Sequence, residues 1–316
     1  LLRELVPEPG ERVVLAIESG TVRMTAVLGA IRYGLIPVPV PFDLTPVDLA
    51  LRAADVDAAL IVASNPSAKE ALSLVPEGVT PSFASLEDLT FQLMRPEVGG
   101  DGADVPVTTP ALIVFTRGRE GSPPKPVVHS HAATAVAGVP LAYWLGVRPG
   151  DLVYTGAEAA PAASLWNGMF GPWAAGAEIL EIGRGVPWDE RVDLLERFAP
   201  TIVIQTPEEH RLLLDELARS GRTMPRLRVA GSTGDRLEPA LSTRFERELG
   251  VRLLDAYGMA ETGTIIAQTV NATDPVGSLG RPVPGLRMRP AASDGGPIEQ
   301  GEPGPLALYG HPPSLF

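Results

Sequence analysis

The chain of 316 residues contains no cysteine. That absence excludes a disulfide framework, a thiolate metal site and a cysteine nucleophile. Lysine is nearly missing as well, with Lys69 and Lys125 the only two, and acidic residues outnumber basic ones by 38 to 26 for a formal charge of −12. Nucleic acid and anionic membrane surfaces are therefore not expected as the main partners, because both are bound through basic faces. A small anion can still be held locally. No apolar run approaches the roughly 20 residues of a membrane span, and the opening LLRELVPEPGERV lacks the layout of a signal peptide. These features predict a soluble protein, and cytoplasmic residence fits the lack of cysteine. Arginine in place of lysine, with abundant alanine, glycine and proline, points to a GC-rich bacterial coding sequence.

Two catalytic signatures are also missing. Without G-x-S-x-G there is no nucleophile elbow for an esterase, and without G-x-G-x-x-G after a strand a Rossmann dehydrogenase is disfavoured. His129 and His131 are too few for a metal centre in a chain with no cysteine, and a structural role near their loop is expected. His210, in EEHRLLL, is expected on an exposed helix surface, and Trp144, Trp166, Trp173 and Trp188 are expected in the core.

Strand-length apolar runs alternate with helical periodicity along most of the chain. VVLAI (13–17) precedes TVRMTAVLGAIRYG, and Thr45-Pro46 with Asp48 caps a helix ahead of AALIVAS. ALIVFT (111–116), a loop and a helix from about Ser130 to Trp144 read as the next unit. LVYTG, EILEI, TIVIQ, LRVAGS and VRLLDAYG then alternate with helices near 164–175, 188–198, EEHRLLLDELARS and EPALSTRFEREL. Continuous apolar strands between helices call for parallel sheets covered on both faces, so the fold class is α/β, in layers. The core spans 1–270 as two sheet subdomains divided at about 96–107, and 271–316, rich in Gly and Pro, forms a small β-rich subdomain. In such sheets ligands bind beyond the carboxyl ends of strands, and the loops after Phe115, Ala230 and Ala256 are expected to face one crevice.

The first of those loops is FTRGREGSPPKPVVHSH (115–131). Gly118 and Gly121 can turn backbone N–H groups toward an anion that Lys125 would neutralise, which makes a phosphate cradle. A solvated surface loop is the other reading of the same spacing.

The order of motifs adds to this. FTRGREGSPPKPVVHSH, LRVAGSTGDRLEP, LLDAYGMAETG, GSLGRPVPGL and GEPGPLALYG resemble, in sequence, the successive motifs of the adenylate-forming superfamily, and VVHSH resembles its benzoate–CoA ligases. The resemblance implies an AMP-binding acyl- or aryl-CoA ligase domain that activates a small carboxylic acid with ATP and Mg²⁺, with CoA or a carrier-protein thiol as acceptor. By the same resemblance Thr116, Gly118, Gly121 and Lys125 belong to the phosphate loop. Gly231, Ser232, Thr233 and Gly234 line the adenine, Tyr257 and Gly258 lie near nucleotide or substrate, and Glu261 faces the metal as a hard oxygen ligand. Glu261 and Lys125 are the implied catalytic residues. The chain ends at GHPPSLF, before the family's small domain with its catalytic lysine, and the expectation is that this domain is absent from the chain.

Several positions depart from the pattern. Arg117 stands for a serine, Arg119 and Glu120 for a threonine pair, Pro126 for a glycine, and one proline is inserted. Ala260 stands for the threonine whose hydroxyl meets the α phosphate. The hydroxyl donors are lost and a carboxylate is added beside the phosphates. The alternative expectation is therefore a catalytically degenerate domain serving as scaffold or carrier-protein docking module in a larger synthase.

Overall fold

The computed structural model describes residues 8–18, 20–87, 102–116, 122–156, 161–275, 277–292, 294–296, 298–299 and 301–310. Its first sheet has four parallel strands, β1 (Arg12–Ala16), β2 (Ile36–Pro39), β3 (Leu60–Ala63) and β4 (Ser82–Ser85), in the order β2-β1-β3-β4. Val13 pairs with Leu60 and Val14 with both Val38 and Ile61, so the apolar runs are sandwiched rather than half-exposed. Val13 and Leu15 pack toward the helix Thr21–Arg32, whereas Val14 and Ala16 pack toward the helix Pro46–Asp55. The second helix starts as its sequence predicts. Thr45 accepts the Asp48 N–H at 3.1 Å, and Pro46 occupies the first turn, where no N–H is needed.

The third unit differs from expectation. β5 (Pro110–Phe115) does not continue a parallel βα alternation; it pairs antiparallel with β6 (Pro126–Ser130), matching Val114 with Val127 and Phe115 with Pro126. Phe115 and Pro126 thus lie on the paired strands of a hairpin, and the helical stretch that follows divides into His131–Ala135 and Gly138–Leu145. β5 still lies between the same two layers. Leu112 and Val114 join the core of the first face, and Ile113 and Phe115 that of the second. Strand pairing wins here because PVVHS satisfies its backbone groups against β5 while burying His129 and Ser130.

The second sheet has seven strands in the order β13-β12-β11-β10-β9-β7-β8. β7 (Leu152–Thr155), β8 (Glu178–Leu180), β9 (Ile202–Gln205), β10 (Val229–Ser232) and β11 (Leu253–Met259) are parallel to their neighbours; β12 (Gly263–Ala267) and β13 (Arg281–Pro282) extend the edge antiparallel. The strand expected to end at Ala256 therefore runs on to Met259. Helices Trp188–Phe198, Pro207–Ser220 and Pro239–Leu249 cover one face. On the other lies Gly138–Leu145, whose Trp144 indole donates to the Leu254 carbonyl at 3.2 Å. Beyond this sheet, β14 (Arg287–Pro290) and β15 (Leu306–Tyr309) form a separate antiparallel pair.

Candidate nucleotide and acid site

The carboxyl ends of β9 and β10 and the first half of β11 bring three polar side chains into one row. Ser232 stands beside Gln205 on one side and Asp255 on the other. Each lies two residues beyond a core residue, Val203, Ala230 and Leu253, so strand alternation puts all three on the helix-covered face. All are buried. The Ser232 hydroxyl and both Gln205 amide atoms find no hydrogen-bond partner among the described residues, and Gln205 faces the Tyr154 hydroxyl without reaching bonding geometry. Burial pushes the Asp255 carboxyl up to about 6, partly offset by the Ala256 N–H. Thr233, half-buried, donates its N–H to the Gln205 carbonyl at 3.1 Å, and Gly234 beyond it is exposed with φ of 93°.

Gly231 is confined by close packing: a Cβ there would meet the Trp144 ring at 2.6 Å. Its carbonyl is 2.9 Å from Nε2 of His210. This overturns the expected exposure of His210, which is fully buried and set edge-on against Phe245, with ring centroids 5.2 Å apart. Its imidazole is pushed down to about 4 by burial, against the opposing effect of the Gly231 bond.

At the hairpin, Thr116 and Lys125 close the loop on itself. The Thr116 N–H donates to the Lys125 carbonyl at 2.9 Å, and the Lys125 N–H donates to Oγ1 of Thr116 at 2.9 Å. Gly118 and Gly121, with Arg117, Arg119 and Glu120, lie outside the described residues. The Lys125 side chain is exposed. Down the same hairpin, His129 reaches across to the Tyr257–Glu261 segment: its Nε2 is 2.8 Å from the Ala260 carbonyl, and its ring stands edge-on to Trp166 at 4.9 Å. Burial lowers the His129 pKa, opposed by the Ala260 bond and by the charge of Glu261. The next residue, Glu261, is exposed, and Tyr257 is 39% exposed. Gly258 sits at a bulge where any side chain would run into the Gly263 backbone.

Beside that turn opens an apolar cleft of about 200 Å³, walled by Ala133, Ala137, Trp166, Thr262, Val283 and Leu286. Trp166 reaches it from a single π-helical turn, Trp166–Phe170, inside the helical stretch 161–174. Such turns often mark functional sites. Mg²⁺ retains most of its water and takes one or two carboxylates together with phosphate oxygens, so one exposed Glu261 suits it. Among the described residues no group of three His, Asp or Glu could form an all-protein metal cage. A smaller cavity of about 60 Å³ lies where the ends of β1 and β2 meet those of β7 and β8, with Arg23 and Glu181 3.6 Å apart in its wall.

The family model described as AMP-binding enzyme matches residues 1–314. The chain belongs to the AMP-binding enzyme family. It is 28% identical over 318 residues to the benzoate–CoA ligase of Thauera aromatica, a match covering 96% of this chain and 59% of that protein. Among solved structures it is similar to a benzoate CoA ligase from Burkholderia xenovorans LB400 (TM-score 0.85, 24% identity, 99% of this chain and 63% of that one). It is also similar to ATP-bound MatB from Rhodopseudomonas palustris (TM-score 0.86, 19% identity, 100% and 62%). The chain thus spans about 60% of the length of the curated relatives that it matches along its whole length. The fold of the adenylate-forming enzymes' large N-terminal domain follows from these matches.

Within that fold the structure brings Gly231 and Ser232 alongside Leu254 and Asp255 of β11, sets Thr233 against Gln205, and ties the Thr116–Lys125 hairpin to the Ala260–Glu261 turn. Sequence reading did not single out Asp255 or Gln205. For His210 a signal was present: with Leu213, Leu214 and Leu217 it falls at i, i+3, i+4 and i+7, the buried stripe of the helix Pro207–Ser220.

Proposed function

We propose that this chain is the nucleotide- and acid-binding part of an acyl- or aryl-CoA ligase, which activates a carboxylic acid with ATP to an acyl adenylate. The observation that carries the reading is the bond from His129 to Ala260, because it sets the lysine-bearing hairpin next to the Glu261 turn and the apolar cleft. In the proposed complex Lys125 neutralises the β and γ phosphates, Glu261 takes one position on Mg²⁺, and the Gly231–Gly234 segment and Tyr257 flank the adenine. The apolar part of the acid occupies the cleft beside Trp166. A carboxylate oxygen of the acid attacks the α phosphorus, the bond to the bridging oxygen breaks, and pyrophosphate leaves with that electron pair. Mg²⁺ supplies charge neutralisation on the phosphates, and the protein's task is to aim its donors at the developing charge. The names of the relatives, among them benzoate–CoA and 3-hydroxybenzoate–CoA ligases, support an aromatic acid and CoA as substrates.

Residues 1–270 are proposed as the catalytic core, divided at about 96–107, with 271–316 as the smaller β-rich part. A second reading, an adenylation-like scaffold without turnover, is favoured by one specific feature: Ala260 offers no hydroxyl at the turn that holds Glu261. ATP–pyrophosphate exchange with a panel of aromatic and aliphatic acids decides between them. Acid-dependent exchange supports the ligase reading, and its absence alongside calorimetrically silent ATP and Mg²⁺ supports the scaffold.

A further inference from the structure

Two buried imidazoles hold the backbone of the site from behind. Nε2 of His129 lies 2.8 Å from the Ala260 carbonyl, and Nε2 of His210 lies 2.9 Å from that of Gly231. A carbonyl only accepts, so each ring carries its proton on Nε2. Both rings are 0% exposed. Each is kept from turning by an aromatic neighbour met edge-on, Trp166 at an interplanar angle of 74° and Phe245 at 84°. In both, Nδ1 is buried with no hydrogen-bond partner among the described residues. An apolar side chain of similar volume would avoid that cost, so burial alone does not account for histidine at either place.

The carbonyls they hold are informative. Ala260 shares its peptide plane with the N–H of Glu261, and Gly231 shares its plane with the N–H of Ser232. Since a peptide unit is rigid, fixing the oxygen fixes the direction in which the chain leaves toward the next residue. One histidine therefore sets where Glu261 starts, and the other where the Ser232–Gly234 segment starts. Each acts from a different element, 131 and 21 residues away in the chain.

We infer that His129 and His210 are a matched pair of positioning residues, one aligning the metal-facing turn and the other the adenine-facing segment. The inference deepens the ligase reading and rests on it for its functional half. The structural half stands independently, and the test separates the two.

The experiment compares His129→Leu and His210→Leu, which remove the donor, with His129→Gln and His210→Gln, whose amide keeps an N–H at similar reach. Hydrogen exchange, read without ligand on peptides covering 255–265 and 229–236, is expected to rise about tenfold or more in the segment whose histidine became leucine, a change equal to one lost hydrogen bond. Elsewhere exchange stays at wild-type level, and glutamine restores most of the protection. In pyrophosphate exchange, His210→Leu is expected to raise KM for ATP, and His129→Leu to lower kcat and raise the Mg²⁺ requirement. Unchanged exchange in the held segments, or a uniform rise across the protein in leucine and glutamine variants alike, overturns the inference. Should a leucine variant fail to fold, His129→Phe or His210→Phe, which fills the space with a ring that has no donor, takes its place: local loosening in the segment supports the inference, and a wild-type map refutes it. If wild-type protein shows no exchange of pyrophosphate while the hydrogen-exchange pattern holds, the ligase reading fails and the positioning role survives.

Discussion

The carboxylate of Glu209 occupies the space that a side chain at position 156 would need, so Gly156 and Glu209 form one packed unit at the end of β7. The same carboxylate accepts the Thr206 N–H at 3.1 Å, completing the capping box that starts the helix Pro207–Ser220. Because Glu209 is buried there, Gly156→Ala must push it off the cap. The expected cost is about 1–3 kcal/mol, from overpacking plus a weakened cap. Urea unfolding of the variant checks it, and Glu209→Ala in the same background should recover part of the loss.

Asp255 predicts a stability that depends on pH. Its folded pKa, about 6, is raised above the ordinary 3.8, so the folded state holds the proton more tightly than the unfolded one. The stability linked to that proton is fully present below 3.8 and is lost as pH rises through about 6. Asp255→Asn is therefore expected to be more stable than wild type at pH 8, by about 1–2 kcal/mol, with the difference vanishing near pH 4. Thermal melts across that range measure it.

His210 works with the opposite sign. Its folded pKa, about 4, is depressed below 6.5, so its contribution is present above 6.5 and falls away as pH drops toward 4. The variant His210→Gln should show a flatter acid limb, with wild type losing up to about 3 kcal/mol more between those two values. Equal slopes in the two proteins would show that another group drives acid unfolding.

Lys125 and Glu261 are both exposed, so removing either should leave the melting temperature unchanged while altering nucleotide binding. With Glu120 and the lost hydroxyls in the loop, wild-type affinity for ATP and Mg²⁺ is expected in the region of about 1 mM or weaker. Lys125→Ala should weaken it roughly tenfold or more, the scale of one charge-assisted hydrogen bond. Glu261→Gln should shift the Mg²⁺ dependence and leave metal-free binding as it was. Titration calorimetry separates the two effects.

Asp151 tests the second sheet. It is buried, accepts from Nε of Arg228 at 2.9 Å and from the Thr201 hydroxyl at 2.8 Å, and so joins the start of β7 to residues ahead of β9 and β10. Arg228→Met strands the buried Asp151 carboxylate and should cost about 3–5 kcal/mol, more than Asp151→Ala, after which Arg228, 28% exposed, still donates to the Leu145 and Gly146 carbonyls. Denaturation curves for both variants rank them.

What the sequence by itself determined is local or ordered along the chain. Thr45-Pro46 and Thr206-Pro207 start helices because a hydroxyl reaches an N–H three residues on and proline needs none there, a matter of neighbouring atoms. The apolar runs VVLA, LIVA and IVIQ could only be strands buried on both faces, and the order of motifs placed the chain in its family. Pairing partners were left to tertiary structure, since hydrogen bonds between strands carry no sequence code: β5 took β6, from beyond its own loop, and turned an expected βα unit into a hairpin. Tertiary structure also decided the pKa of Asp255 and the roles of His129 and His210. A carboxyl or an imidazole reads the same on paper whether it meets water or a carbonyl, and only packing from distant elements removes the water and supplies the carbonyl.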